Sequence, residues 1–189
     1  MAESGLAGLS TADLYKAAAI AEGYESVPVD IETFINDPFY IGEIYGEGRV
    51  YPYWLDKLKK LFPNPLYSPF IEVCITGCIG AGKSTVSIIG VLYDLYRVTL
   101  LKDPHKKFKL IPTTPIVITL ITATMDLAGA VLADQLIDVI GCSPYFRSKL
   151  LPGKGDKIDE EMFPHHVGIA YGSRMRHSLG KAVIGAIID

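Results

Sequence analysis

Apolar residues in this chain fall into two kinds of run, one with helical spacing and one short and continuous. Ser10 or Thr11 caps a helix predicted through Asp13 to Ile20, which Gly23 closes. Asp30 caps a second, Ile31 to Ile35, before Pro38 stops it. From Phe39 to Tyr53 the chain is rich in Tyr and Gly without a clear period. Pro52 suits the first turn of a helix from Tyr53 to Phe62, with Trp54, Leu55, Leu58 and Leu61 as its apolar stripe and Lys57, Lys59 and Lys60 on its wet side. Ser84 to Arg97 lacks Pro and is apolar on almost every side, the pattern of a helix packed between layers. Met125 to Ile140 is amphipathic, with Leu127, Val131, Leu132, Leu136 and Ile140 inward and Gly141 ending it. Ser143 then caps a short segment, Pro144 to Leu150.

The continuous runs read as buried strands: Ile71 to Thr76, Pro115 to Thr122, Val167 to Tyr171, and Ala182 to Ile188 with Asp189 at its end. Strands alternating with helices predict an α/β fold with a mainly parallel sheet flanked by helices. Two regions are expected: an N-terminal helical or irregular part over residues 1–50, either a collar or an arm that orders on a partner, and an α/β domain over 51–189.

Composition narrows the class. The 189 residues suffice for one domain with a real core, and 49% hydrophobic content points to a well-buried globular body. No apolar run reaches the roughly 18 residues that a membrane span needs, and the opening Met1-Ala2-Glu3-Ser4 does not read as a signal peptide. The three cysteines, Cys74, Cys78 and Cys142, are odd in number and read as reduced thiols of an intracellular protein. A net charge of −3 provides no overall basic field for nucleic acid. The four lysines between Leu101 and Lys109 make a basic loop, either solvated or in contact with a nucleic-acid backbone.

The chemistry centres on Gly77-Cys78-Ile79-Gly80-Ala81-Gly82-Lys83-Ser84-Thr85. This fits G-x-x-x-x-G-K-[ST], the loop that cradles nucleoside triphosphates. The glycines let backbone N–H groups turn toward an anion where a Cβ would obstruct. Lys83 supplies a point charge for the β- and γ-phosphates, the Ser84 hydroxyl can hold Mg²⁺, and the following helix aims its positive end at the phosphates. The predicted strand before the loop and the helix after it supply the context the motif requires. Tyr51, Tyr53 and Trp54, just upstream, are candidates to stack on adenine, or else core anchors. The closing run that ends in Asp189 has the Walker B pattern, a strand delivering one carboxylate to Mg²⁺; it lies about a hundred residues after Lys83. His165, His166 and His177 have no Cys near them, and their closest acids belong to a loop that reads as solvated, which disfavours zinc.

From about Tyr51 to Asp189 the chain resembles the N-terminal ATPase of tailed-phage terminase large subunits, the motors that pump DNA into proheads. The residues that carry the resemblance are GCIGAGKST, ITLITATMDLAGAVLADQLIDVIGCSPYF and the closing YGSRMRHSLGKAVIGAIID. The resemblance implies a P-loop NTPase of the ASCE type, with ATP and Mg²⁺ as ligands. Gly77 to Gly82 would form the phosphate cradle, Lys83 the phosphate lysine, and Ser84 and Asp189 the Mg²⁺ holders. Implied partners are double-stranded DNA, the prohead portal, the small terminase subunit and a ring of copies of the chain, with no membrane. The implied setting is the host cell cytoplasm.

Three departures from that family stand out. No Gln precedes the loop; the one Gln is Gln135. Cys78 and Ile79 stand where many relatives have an Arg inside the loop. The catalytic Glu, the coupling segment and the RNase H-like nuclease domain would lie beyond Asp189. These 189 residues alone are therefore expected not to hydrolyse ATP at an enzymatic rate, for want of a positioned base. The family's next strand would insert between the P-loop strand and the Walker B strand, so a gap is expected at the centre of the sheet. A P-loop kinase and a nucleotide-binding module without turnover are the alternatives. An arginine that stabilises the transferring phosphoryl group is expected from Arg174 or Arg176, with Arg147 third. If Arg174 or Arg176 acts from a neighbouring subunit, its Ala variant should lose turnover and keep nucleotide affinity. Mixing it with a Lys83→Ala chain should then restore part of the hydrolysis; no recovery in any mixture would leave a local structural role.

Overall fold

The computed structural model describes residues 10–121, 132–154, 161–172 and 179–188. The fold is α/β: three parallel strands form an open sheet in the order β2-β1-β3, flanked by helices. Strand β1 (Ile116–Ile121) is central, and residues 116 to 120 are all buried, Thr119 among four apolar residues, as a strand covered on both faces requires. Strand β2 (Val167–Gly172) pairs along one edge of β1, and β3 (Ala182–Ile188) along the other. The β1–β3 register shifts between Val117 and Ile118, so that Ile118 faces Gly185. Strand β3 was expected to be buried, yet it is half-exposed: Ile187 is buried, whereas Val183 and Ile188 are open to solvent. Its only ladder among the described residues is to β1, so its outer edge has no strand partner among them.

The segment from Ile71 to Thr76, expected as a buried strand, is corrected more sharply. It forms no ladder among the described residues, and Ile71 and Val73 are exposed. Strand identity needs a partner for its backbone N–H and C=O groups, and this segment pairs with no strand of the sheet among the described residues. Ile75 is the residue of this segment that packs against the core.

Helix formation follows the caps. Ser10 and Asp13 make a reciprocal capping box at the start of α1 (Thr11–Ala21). At α2 (Ile31–Asn36), the Asp30 carboxylate accepts the Glu32 and Thr33 N–H groups, each at 3.0 Å. Burial pushes this carboxyl up, but the Thr33 and Glu32 donors outweigh it and hold Asp30 below its ordinary value. After a single turn, α3 (Gly42–Tyr45), comes α4 (Pro52–Leu61), which buries Leu58 and keeps Lys57, Lys59 and Lys60 outside. Helix α5 (Lys83–Thr99) follows the glycine loop. The expected basic loop at 101–109 contains a short helix, α6 (Pro104–Phe108), because the Asp103 carboxylate caps it through the Lys106 N–H.

Helix α7 (Asp134–Cys142) continues two residues past the expected stop at Ile140; Gly141 lies inside it, with Ser143 at its C-cap. Leu132, Leu136 and Ile140 are buried as expected, while Leu127 and Val131 lie outside the described residues. Ser143 caps α8 (Pro144–Lys149), its hydroxyl accepting the Phe146 N–H at 3.3 Å. No described helix is long and apolar enough to cross a membrane.

One hydrophobic core joins these layers. Helix α5 contacts β3 on its sheet side. Opposite, Phe34 of α2 meets Tyr93 and Tyr96 of α5, Phe146 of α8 and Tyr40, with ring centroids 5.0 to 6.3 Å apart. Residues 31–41 are therefore packed on α5 like a collar. Phe34 is fully buried, so Phe34→Ala should lower the unfolding free energy by about 3–5 kcal/mol. Asp30→Ala, which removes the cap alone, should cost about 1 kcal/mol. Denaturant midpoints at constant slope measure both, and an unchanged midpoint for Phe34→Ala would show that the cluster does not hold the fold.

Candidate functional site

The loop before α5 takes its shape from its glycines. Gly80 and Gly82 both sit at φ 81°, in the left-handed region that side chains disfavour. Gly82 is the N-cap of α5, and its carbonyl accepts the Val86 N–H at 3.1 Å. The loop is also turned back on itself by the Ala81 N–H, which donates to the Cys78 carbonyl at 3.3 Å. Cys78 and Ile79 at the tip are exposed, and Ala81 to Thr85 are half-buried.

Lys83, the first residue of α5, folds its side chain onto the loop. Its ammonium donates to the Gly77 carbonyl at 3.0 Å and to the Cys78 carbonyl at 2.9 Å. Ser84 and Thr85 follow on the same first turn, where helix N–H groups lack intrahelical acceptors. The chain therefore brings Gly77, Cys78, Ile79, Gly80, Ala81, Gly82, Lys83, Ser84 and Thr85 into one continuous loop-to-helix junction.

The aromatic residues upstream divide into two groups. Trp54, on α4, turns its indole to the loop: Nε1–H donates to the Ala81 carbonyl at 2.5 Å. A Cβ on Gly82 would stand 3.3 Å from Trp54 Nε1 and 3.7 Å from Tyr51 Cδ2, so both rings lie against that glycine. Tyr53 instead is exposed, edge-on to Trp54 at 5.0 Å, with the Lys57 ammonium 5.1 Å from its ring centre. The Trp54–Ala81 bond has no signature in the sequence, since it joins residues 27 apart. The one hint was a lone tryptophan shortly before a glycine loop.

Asp189, Arg174, Arg176 and His177 lie outside the described residues. Arg147 is described, exposed on the last turn of α8. Among the described residues no group of three His, Cys, Asp or Glu side chains could hold a metal. His166 pairs instead with Glu161 at 3.0 Å, and the buried His105 bonds the Thr114 carbonyl at 2.9 Å. Comparison with protein-family models, with curated proteins and with solved structures gives no match.

Gly82→Ala tests the loop geometry. It puts a Cβ at positive φ and close to Trp54 Nε1, which should cost about 1–3 kcal/mol. Gly141→Ala makes the control: it adds a Cβ to a helix with nothing within 4 Å, and should stabilise by roughly 0.5–1 kcal/mol. Equal effects of the two substitutions in thermal melts would show that the Gly82 conformation is not required.

Proposed function

We propose that the chain binds Mg²⁺·ATP on the loop from Gly77 to Thr85 as the ATP-binding part of a viral DNA-packaging ATPase, a P-loop NTPase of the ASCE type. The observation that carries the nucleotide reading is the placement of Lys83. An ammonium has three N–H donors; two hold the Gly77 and Cys78 carbonyls, and the third serves a phosphate oxygen. A 17-residue helix begins at that lysine, and its positive end stabilises the same anion. Ser84 fits the part of a Mg²⁺ ligand, since it offers a half-exposed hydroxyl on the first turn beside Lys83; the ion, when bound, neutralises phosphate charge. Asp189, directly after β3 in sequence, would be the second ligand.

The motor assignment is supported by the resemblance of the loop, of the β1 region and of the closing segment to terminase ATPases. Its partners would be double-stranded DNA, the prohead portal and the small terminase subunit. Arg174 or Arg176 would supply positive charge to the transferring phosphoryl group.

Lys83→Ala removes a charged donor and the brace on two loop carbonyls. It should weaken Mg²⁺·ATP binding by about 10- to 100-fold, read by calorimetry against wild type. Wild-type affinity in that variant would overturn the nucleotide reading. In a longer protein that carries these residues followed by a catalytic base, phosphate release that rises with added double-stranded DNA supports the motor, whereas phosphoryl transfer to a small-molecule acceptor would replace it with a kinase.

A further inference from the structure

We propose that Trp54 is a positioning residue for the phosphate-binding loop, acting through the Ala81–Gly82 peptide; this rests on the nucleotide reading above. The peptide group is planar and trans, so its C=O and N–H point in opposite directions. The indole N–H fixes the Ala81 oxygen at 2.5 Å, and thereby turns the Gly82 N–H to the side away from the indole. That N–H belongs to the cradle whose donors receive phosphate. Rotation of this one peptide would replace a donor with a carbonyl lone pair, which repels an anion.

The surroundings make the restraint directional. Trp54 is half-buried on α4, whose Leu58 is anchored in the core, so the indole is held from the helix side. Gly82 has no side chain, and the indole edge and Tyr51 occupy the space beside its Cα. The loop's other bonds come from its own Ala81 N–H and Lys83 and from α5 through the Val86 N–H, and no ladder braces the residues before it among the described residues. Trp54 thus supplies the restraint on the Ala81–Gly82 peptide from outside the loop. This role differs from stacking on a base, which uses the ring face and makes no demand on the indole N–H.

The two roles separate with a ligand that has phosphates and no base. Wild type and Trp54→Phe, which keeps an aromatic ring and deletes the N–H, are titrated with Mg²⁺·ATP and with Mg²⁺·tripolyphosphate. Incorporation of benzothienylalanine at position 54, isosteric with Trp but without the N–H, gives a second variant should Trp54→Phe unfold. Loss of the bond should raise both dissociation constants by the same factor, about 2- to 10-fold, with the melting temperature little changed. Because Trp54 is the one tryptophan, wild-type emission should also shift with either ligand. Weaker ATP binding with unchanged tripolyphosphate binding would overturn the proposal in favour of base stacking. Unchanged binding of both would show that the loop positions itself. If wild type binds neither ligand, the nucleotide reading falls first, before any variant is compared, and the positioning role falls with it.

Discussion

A helix that carries Val86, Ile88, Ile89, Leu92, Tyr93, Leu95 and Tyr96 on successive turns cannot leave a broad face to water, and covering α5 is the constraint that organises this chain. The sheet covers one side through β3. The other side is covered by residues that precede the loop, with Phe34 at the centre of an aromatic cluster. Polar bonds fix that cover in register: the Tyr93 hydroxyl donates to the Val29 carbonyl at 2.6 Å, and the Val29 N–H donates to the Tyr96 hydroxyl at 2.9 Å. Both backbone groups of one residue are thus satisfied by α5. Burial pushes the Tyr93 and Tyr96 hydroxyls well above their ordinary range, so both stay neutral donors and acceptors.

The same helix tolerates one charged pair within its cover. Asp94 and Arg97 form an ion pair on α5, and the Arg97 guanidinium also lies over the Phe62 and Tyr93 rings at 5.3 and 5.4 Å. Burial pushes the Asp94 carboxyl up, and the guanidinium beside it pulls the other way. Stacking on two rings gives the arginine an apolar bed that an isolated cation would lack. A Cβ at Gly185 would lie 3.8 Å from Val91 and Ile118 and 3.9 Å from Asp94 Oδ2, so the pair sits where helix and sheet come together.

What the sequence made legible follows from how each element satisfies its backbone. A helix closes its hydrogen bonds within its own segment, so caps and periodicity announced α1, α2, α4 and α5 nearly to the residue. A strand is satisfied only by a neighbour. Ile71 to Thr76 and Ile116 to Ile121 are both rich in β-branched residues, yet one is mostly exposed and unladdered and the other buried from residue 116 to 120. Composition cannot tell them apart because the partner lies elsewhere in the chain. The glycine loop was legible for the opposite reason, since its conformation is written in the residues themselves. Trp54's bond to Ala81 was not, because it depends on how α4 is laid against the loop.

On the proposed nucleotide reading, an anion site built from backbone must also dispose of its carbonyls, whose lone pairs repel phosphate. Here the Gly77 and Cys78 oxygens are taken by Lys83, Cys78 also by the Ala81 N–H, Ala81 by Trp54, and Gly82 by the helix through Val86. These donors differ in what a ligand does to them. A bound phosphate would also draw Lys83, so its hold on two carbonyls and its grip on such a ligand would share three N–H donors. The indole has a single N–H and no charge, and an anion gains little by competing for it. Of the side-chain restraints on this loop, the one from α4 is therefore the one that a bound phosphate would not compete for.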